Sequence, residues 1–270
     1  MYTEVINLWK NAPGLCEETP LITYYKPENK VSDMAFLIAP GGGYSGRAPY
    51  EGAGYAEFLA SKGYTCFVLN YRTSTHKFPI PLLDARRALR TIRFYAEKFG
   101  IDKNKIAMMG SSAGGHLTAL TSNYKEPVEF EGVDEIDKER FLPDAQVLCY
   151  PVINIYDRNI AHIWSGNMLI GNNYDETNDV ITRRKLSPNL LVSETTPPAF
   201  IWHTFEDEAV DVRNTLEYAT QLRTYNIPAE IHIFPHGPHG MGLTARSNDL
   251  ENHVAQWSDL LLEWVKYIGW

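Results

Sequence analysis

Short, nearly unbroken apolar runs alternate with amphipathic stretches along most of this chain, and that alternation restricts the fold more than any single residue does. Met34 to Ala39 is such a run, ended by Pro40 and three glycines; an apolar run of this length reads as a strand buried on both faces of a sheet. Tyr64 to Tyr71, Lys105 to Met109, Ala145 to Tyr150, Ala199 to His203 and Ala229 to Phe234 read the same way. Between them, Leu82, Ala85, Leu89, Ile92, Ala96 and Phe99 recur at steps of three or four and predict one helical stripe, with Arg86, Arg87, Arg90 and Arg93 mostly outside it and Gly100 as its stop. Tyr50 to Lys62, Ala113 to Asn123, Val212 to Tyr225 and the stripe Val254, Trp257, Leu261, Trp264, Ile268 predict further helices. A parallel strand pair needs a crossover, and a helix is the usual one. The expectation is an α/β fold in one domain over residues 1–270, with a mostly parallel central sheet and helices on both faces. Thr3 to Trp9 and Thr19 to Tyr25 alternate less regularly and are candidate antiparallel strands at the sheet edge.

Two stretches break the rhythm. Glu126 to Arg140 is acidic and without helical period, the mark of a surface excursion. Asn154 to Asn189 is long and polar with Trp164, Met168, Leu169 and Ile170 embedded in it, and is read as a small cap over the site, since loops of such length are usually functional.

Composition narrows the function classes. Across 270 residues, 25 Lys and Arg against 33 Asp and Glu leave a formal charge of −8, which argues against nucleic acid as a partner. No run reaches the ~20 apolar residues of a membrane helix, and Met1 to Lys10 carries no basic cluster followed by an apolar run. The cysteines, Cys16, Cys66 and Cys149, are odd in number and far apart. A cytoplasmic protein without membrane attachment is expected, and no metal site built on these thiols.

The chemistry gathers at strand ends. Gly110-Ser111-Ser112-Ala113-Gly114 lies between a predicted strand and a predicted helix, the setting in which a tight turn flanked by small residues projects a serine hydroxyl into a cleft. Ser112 is the motif centre; Ser111 is the alternative nucleophile. Gly41-Gly42-Gly43 ends an earlier strand and opens backbone N–H groups to a developing oxyanion, with Gly42, Gly43 and Ala113 as the expected donors. A nucleotide-binding reading of these glycines fails on spacing. Of eight histidines, His236 and His239 stand in a Pro- and Gly-flanked loop after the last strand, and His239, reaching further from the strand, is the favoured base. Two loop histidines without a third ligand make a poor zinc site. Asp207 follows the strand ending near His203 and is the favoured orienting acid, with Glu206 as a substitute and Asp211 as an alternative N-cap. The order Ser112, Asp207, His239 is nucleophile, acid, base, the order of the α/β-hydrolase fold.

Pro40-Gly41-Gly42-Gly43-Tyr44, Leu69-Asn70-Tyr71-Arg72, Gly110 to His116, Leu186-Ser187-Pro188, Pro197-Pro198-Ala199-Phe200, Trp202 to Asp207 and His236 to Gly240 together resemble the α/β-hydrolase serine esterases, nearest to the acetyl xylan esterases, carbohydrate esterases and sugar hydrolases. The likeness runs from about Ala35 to Gly242. It implies Ser112, Asp207 and His239 as a catalytic triad, an oxyanion hole of Gly42, Gly43 and Ala113, and hydrolysis of short acyl esters of carbohydrates through an acyl-serine, with no metal or organic cofactor. Related lipases carry His before the glycines, where this chain has Pro40, so another group must shape the loop. Tyr44 and Trp164 are candidate walls for a sugar ring. The same fold hosts carboxylesterases, formamidases and peptidases, and a non-catalytic binding protein is the rival of another class. Exposed aromatics in the cap are equally the makings of a dimer interface, so a homo-oligomer stays open.

Overall fold

The computed structural model describes residues 2–14, 17–245 and 247–270; Cys16 lies outside them. In chain order the elements are β1 (Tyr2–Asn7), β2 (Leu21–Lys26), β3 (Ala35–Ala39), α1 (Pro49–Ser61), β4 (Thr65–Asn70), α2 (Ile80–Phe94), α3 (Ala96–Phe99), β5 (Ile106–Ser111) and α4 (Ser112–Asn123). There follow β6 (Ala145–Cys149), α5 (Ile163–Ile170), α6 (Tyr174–Thr177), α7 (Val180–Lys185), β7 (Ala199–Thr204), α8 (Arg213–Thr224), β8 (Ala229–Phe234) and α9 (Asp249–Tyr267). The eight strands form one sheet in the order β1-β2-β4-β3-β5-β6-β7-β8. From β4 to β8 every neighbour is parallel, while β1 and β2 run antiparallel at one edge, as the two less regular N-terminal segments led one to expect.

Period-two alternation sends β3 both ways. Leu37 packs with Leu82, Leu89 and Leu117 on the side of α2 and α4, whereas Phe36 and Ile38 pack with Tyr55, Leu59, Trp257 and Leu261 on the side of α1 and α9. Both sheet faces are thereby closed, which explains why the central strands read as apolar throughout. The predicted stripe through Phe99 is two helices: the ladder breaks at Tyr95 (φ −100°, ψ 20°), and Gly100 caps the second in the left-handed region at φ 65°.

The four arginines off that stripe are not solvated. Arg86, Arg87, Arg90 and Arg93 are all buried beneath the 126–144 excursion. Glu131 pairs with Arg86 and Arg90 at 3.1 and 3.0 Å, Asp134 with Arg87 at 2.6 Å, and Asp144 with Arg93 at 2.8 Å. The excursion is acidic because it is the counter-charge of α2. A separate buried pair, Arg72 with Asp84 at 2.7 Å, ties the end of β4 to α2. The stretch 154–189 carries α5, α6 and α7, and no helix among the described residues is long and apolar enough to cross a membrane.

Candidate active site

The site lies at the C-terminal ends of β3, β5, β7 and β8, where loops leave the parallel sheet. Ser112 is the first residue of α4 and is held at φ 52°, a backbone conformation that costs a non-glycine residue free energy and turns its side chain out of the strand line. Its neighbours must be small. A Cβ on Gly110 would lie 2.1 Å from the Gly114 carbonyl oxygen, and one on Gly114 would lie 2.0 Å from that of Ala39. The glycines of the pentapeptide are therefore dictated by the close crossing of β3, β5 and the start of α4.

His239, in the loop between β8 and α9, brings Nε2 to 2.9 Å from Ser112 Oγ and Nδ1 to 2.6 Å from Asp207 Oδ2. A carboxylate only accepts, so Nδ1–H donates to Asp207 and Nε2 presents its lone pair to the serine hydroxyl. Asp207 is itself fixed: Oδ1 accepts the N–H groups of Ala209 and Val210 at 2.9 and 2.8 Å, and His203 Nε2 approaches Oδ2 at 3.2 Å. Burial pushes the Asp207 carboxyl up, but the bonds from His203 and His239, the charge of His239 and the Val210 N–H outweigh it and hold the group well below the usual carboxylate range. The alternatives considered for base and acid pair with each other elsewhere: His236 Nδ1 meets Glu206 Oε1 at 2.8 Å, both side chains exposed. Asp211 accepts the Arg213 N–H at 2.8 Å.

Ser111 stands apart, buried, its O–H donating to Tyr55 at 3.1 Å. The glycine loop packs against the serine, and a Cβ on Gly41 would come within 3.0 Å of Ser112 Cβ. The Gly41 N–H is committed to Glu51 Oε2 at 2.7 Å, while Gly42 and Gly43 take φ of 133° and 64°. Among the described residues no acceptor meets the Gly42 or Gly43 N–H. Pro40 in place of histidine is accommodated by Tyr71, whose O–H donates to the Pro40 carbonyl at 2.7 Å, and by Glu51 on Gly41.

The two candidate sugar walls part company. Tyr44 is 1% exposed and its O–H donates to His116 Nδ1 at 2.8 Å; with no accessible face it cannot stack on a ligand, so the sugar-wall reading of Tyr44 is corrected to an internal brace. His116 Nε2–H in turn donates to the Leu186 carbonyl at 2.8 Å, and burial lowers the imidazole to about 4. Trp164, at 56% exposed, lays its indole on the open side of Gly43, within 2.8 Å of where a Cβ would stand. A cleft of about 800 Å³ opens beside His239, lined by Glu206, Glu208, Ala209, Gly237, Pro238 and Leu250. Three contributors were not singled out from sequence: His203, Glu51 and Tyr150. Only His203 left a signal, standing four residues before Asp207 in the same motif.

The BD-FAE family model matches residues 22–222. A solved structure, the acetyl ester-xyloside bifunctional hydrolase of Caldicellulosiruptor lactoaceticus, is 38% identical with a TM-score of 0.87, covering 98% of this chain and 96% of that one. The chain is 35% identical over 226 residues to endo-1,4-beta-xylanase B of Butyrivibrio fibrisolvens, covering 82% of this chain and 34% of that protein. It is 32% identical over 220 residues to the acetylxylan esterase of Xylanibacter ruminicola, covering 81% and 43%. It thus spans less than half the length of these two curated relatives. With its motifs, its sheet order and these likenesses in agreement, the chain belongs to the BD-FAE family and has the α/β-hydrolase fold.

Proposed function

We propose that the protein is a serine esterase that removes short acyl groups, acetyl above all, from carbohydrates such as xylo-oligosaccharides. The observation that carries this reading is the run of two short contacts, Ser112 to His239 at 2.9 Å and His239 to Asp207 at 2.6 Å. Ser112 Oγ bonds to the ester carbonyl carbon while its proton passes to His239 Nε2, and the carbonyl electron pair moves onto oxygen. Asp207, kept ionised at neutral pH, compensates the imidazolium. The N–H groups of Ala113, Gly42 and Gly43 face the oxyanion. Collapse breaks the bond to the sugar oxygen, which leaves with the proton from His239, and an acyl-serine remains. Water then repeats the sequence, its proton going to His239 and on to Ser112 as the acid departs.

Among the described residues, no group of three or more His, Cys, Asp and Glu side chains is placed to hold a metal ion; the steps above run through Ser112, His239, Asp207 and the backbone donors. The substrate assignment draws on relatives named for acetylxylan and acetyl ester-xyloside chemistry. Trp164 over Gly43 narrows the approach and favours a small acyl group. Residues 154–189, with α5 to α7, act as the cap that carries this indole. The buried, unbridged thiols Cys66 and Cys149 suit a reducing, cytoplasmic setting.

Wild type and Ser112→Ala compared on p-nitrophenyl acetate, a longer p-nitrophenyl ester and acetylated xylo-oligosaccharides, with acetate release as readout, test the reading. Ser112-dependent release from the oligosaccharide with poor use of the long ester supports it. Activity on simple esters alone removes the carbohydrate from the assignment, and no Ser112-dependent turnover removes the esterase.

A further inference from the structure

The first turn of α1 places a carboxylate beneath the site, where none of the steps above uses it. Glu51 is 2% exposed, and both of its oxygens are engaged. Oε2 accepts the Gly41 N–H and Oε1 accepts the Tyr150 O–H, each at 2.7 Å. Behind Tyr150 the donors are aligned in one direction: Ser111 O–H gives to Tyr55 at 3.1 Å, and Tyr55 lies 3.2 Å from Tyr150. The Tyr150 oxygen also receives the Gly242 N–H at 3.3 Å, from the loop that carries His239. The Tyr150 ring stands edge-on to the His239 imidazole, centroids 5.0 Å apart and planes at 72°. Next to Glu51, Tyr50 O–H donates to the Gly240 carbonyl at 3.0 Å.

Two neighbouring residues of α1 therefore touch the glycine loop, the end of β6 and the histidine loop at once. A carboxylate is a costly way to fill a buried space, since burial opposes its ionised form and raises its pKa against the bonds from Tyr150 and Gly41. A hydrophobic side chain would pack there without that penalty. It would not fix the direction of the Gly41 N–H, and Pro40 has no side-chain donor or acceptor with which to do so.

We propose that Glu51 is a positioning residue: through Gly41 it holds the glycine loop so that the Gly42 and Gly43 N–H groups face the oxyanion above Ser112, and through Tyr150 it sets the plane of His239. The inference rests on reading Ser112 as the nucleophile, but on no particular substrate. Its signature is a loss in the bond-making step rather than in binding.

The test is the rate of Ser112 labelling by a fluorophosphonate, which needs the nucleophile, the base and the oxyanion donors and no acyl specificity, measured for wild type, Glu51→Gln and Tyr150→Phe. Each variant is first checked for an unchanged circular dichroism spectrum. The expected fall is about 10- to 100-fold for Glu51→Gln and about 3- to 10-fold for Tyr150→Phe. On p-nitrophenyl acetate the same factors appear in kcat, KM moves less than about threefold, and affinity for a trifluoromethyl ketone falls in parallel with kcat/KM. Labelling of folded Glu51→Gln at the wild-type rate, or a loss confined to KM, overturns the proposal. Should Glu51→Gln fail to fold, Tyr150→Phe, which keeps the ring and removes only the hydroxyl, decides by the same criterion. Wild type that is labelled at Ser112 but leaves acetylated oligosaccharide untouched sinks the substrate reading alone; wild type that is not labelled sinks both.

Discussion

Asp207→Asn changes one atom and, by the geometry of the acid loop, reverses the proton on His239. The carboxylate now serves two backbone N–H groups with Oδ1 and His239 Nδ1–H with Oδ2. An amide has one oxygen. If it stays beneath Ala209 and Val210, the NH₂ faces Nδ1, which must give up its hydrogen; Nε2 then carries it and meets Ser112 as a donor instead of an acceptor. The opposite orientation aims the NH₂ at the half-buried Ala209 N–H and the buried Val210 N–H, leaving the second without a partner at about 1–3 kcal/mol. The productive arrangement is thus disfavoured by about 1–3 kcal/mol, or about 5- to 150-fold in population at 1.36 kcal/mol per decade. Loss of the negative charge opposite the imidazolium adds to this; the same change in a serine protease of unrelated fold costs ~10⁴-fold in all. The assay is kcat on p-nitrophenyl acetate together with the ¹⁵N resonances of His239. An Asp207→Asn protein that keeps more than about a tenth of the wild-type kcat with hydrogen still on Nδ1 would refute the reasoning.

Three further outcomes follow from separate parts of the molecule. His116 is buried and lowered to about 4, so the unfolded chain binds the proton first. Its contribution is full above about pH 6.5 and is lost as pH falls toward 4, about 3 kcal/mol in all; urea titrations should show a shallower pH dependence across that window in His116→Gln. Asp84→Ala leaves Arg72 charged in a site where both partners were fully buried, and should lower unfolding free energy by about 3–5 kcal/mol in the same titrations. Trp164→Ala should raise kcat/KM for p-nitrophenyl butyrate relative to acetate by about 10-fold as the space over Gly43 opens; an unchanged ratio would remove the indole from the acyl side.

What the sequence made legible depended on how local the cause was. The runs that became β3, β5 and β7 are apolar because helices cover both faces, and that is visible residue by residue. Ser112, Asp207 and His239 each follow a parallel strand, so chain order alone set them together at the C-terminal ends of the strands. Arg86, Arg87, Arg90 and Arg93 were readable as lying mostly off the apolar stripe of their helix but not as buried, because their carboxylates arrive from another part of the chain. Glu51 resembled any acidic residue in the first turn of a helix, where the dipole favours it; its burial depends on Tyr150, 99 residues away. Tyr44 misled for the opposite reason, since an aromatic next to an open glycine loop reads as a ligand wall until His116 is seen to take its hydroxyl.

The charged seam on α2 also bears on how the chain comes to be made. The carboxylates that neutralise its arginines lie 41 to 51 residues further along, beyond β5 and α4. A ribosome therefore releases α2 well before its acidic cover, and for that interval the helix shows water a cationic flank instead of bare hydrocarbon. Like charges on successive nascent chains repel one another, so the half-made sheet is guarded against its neighbours until the cover arrives and cancels the charge.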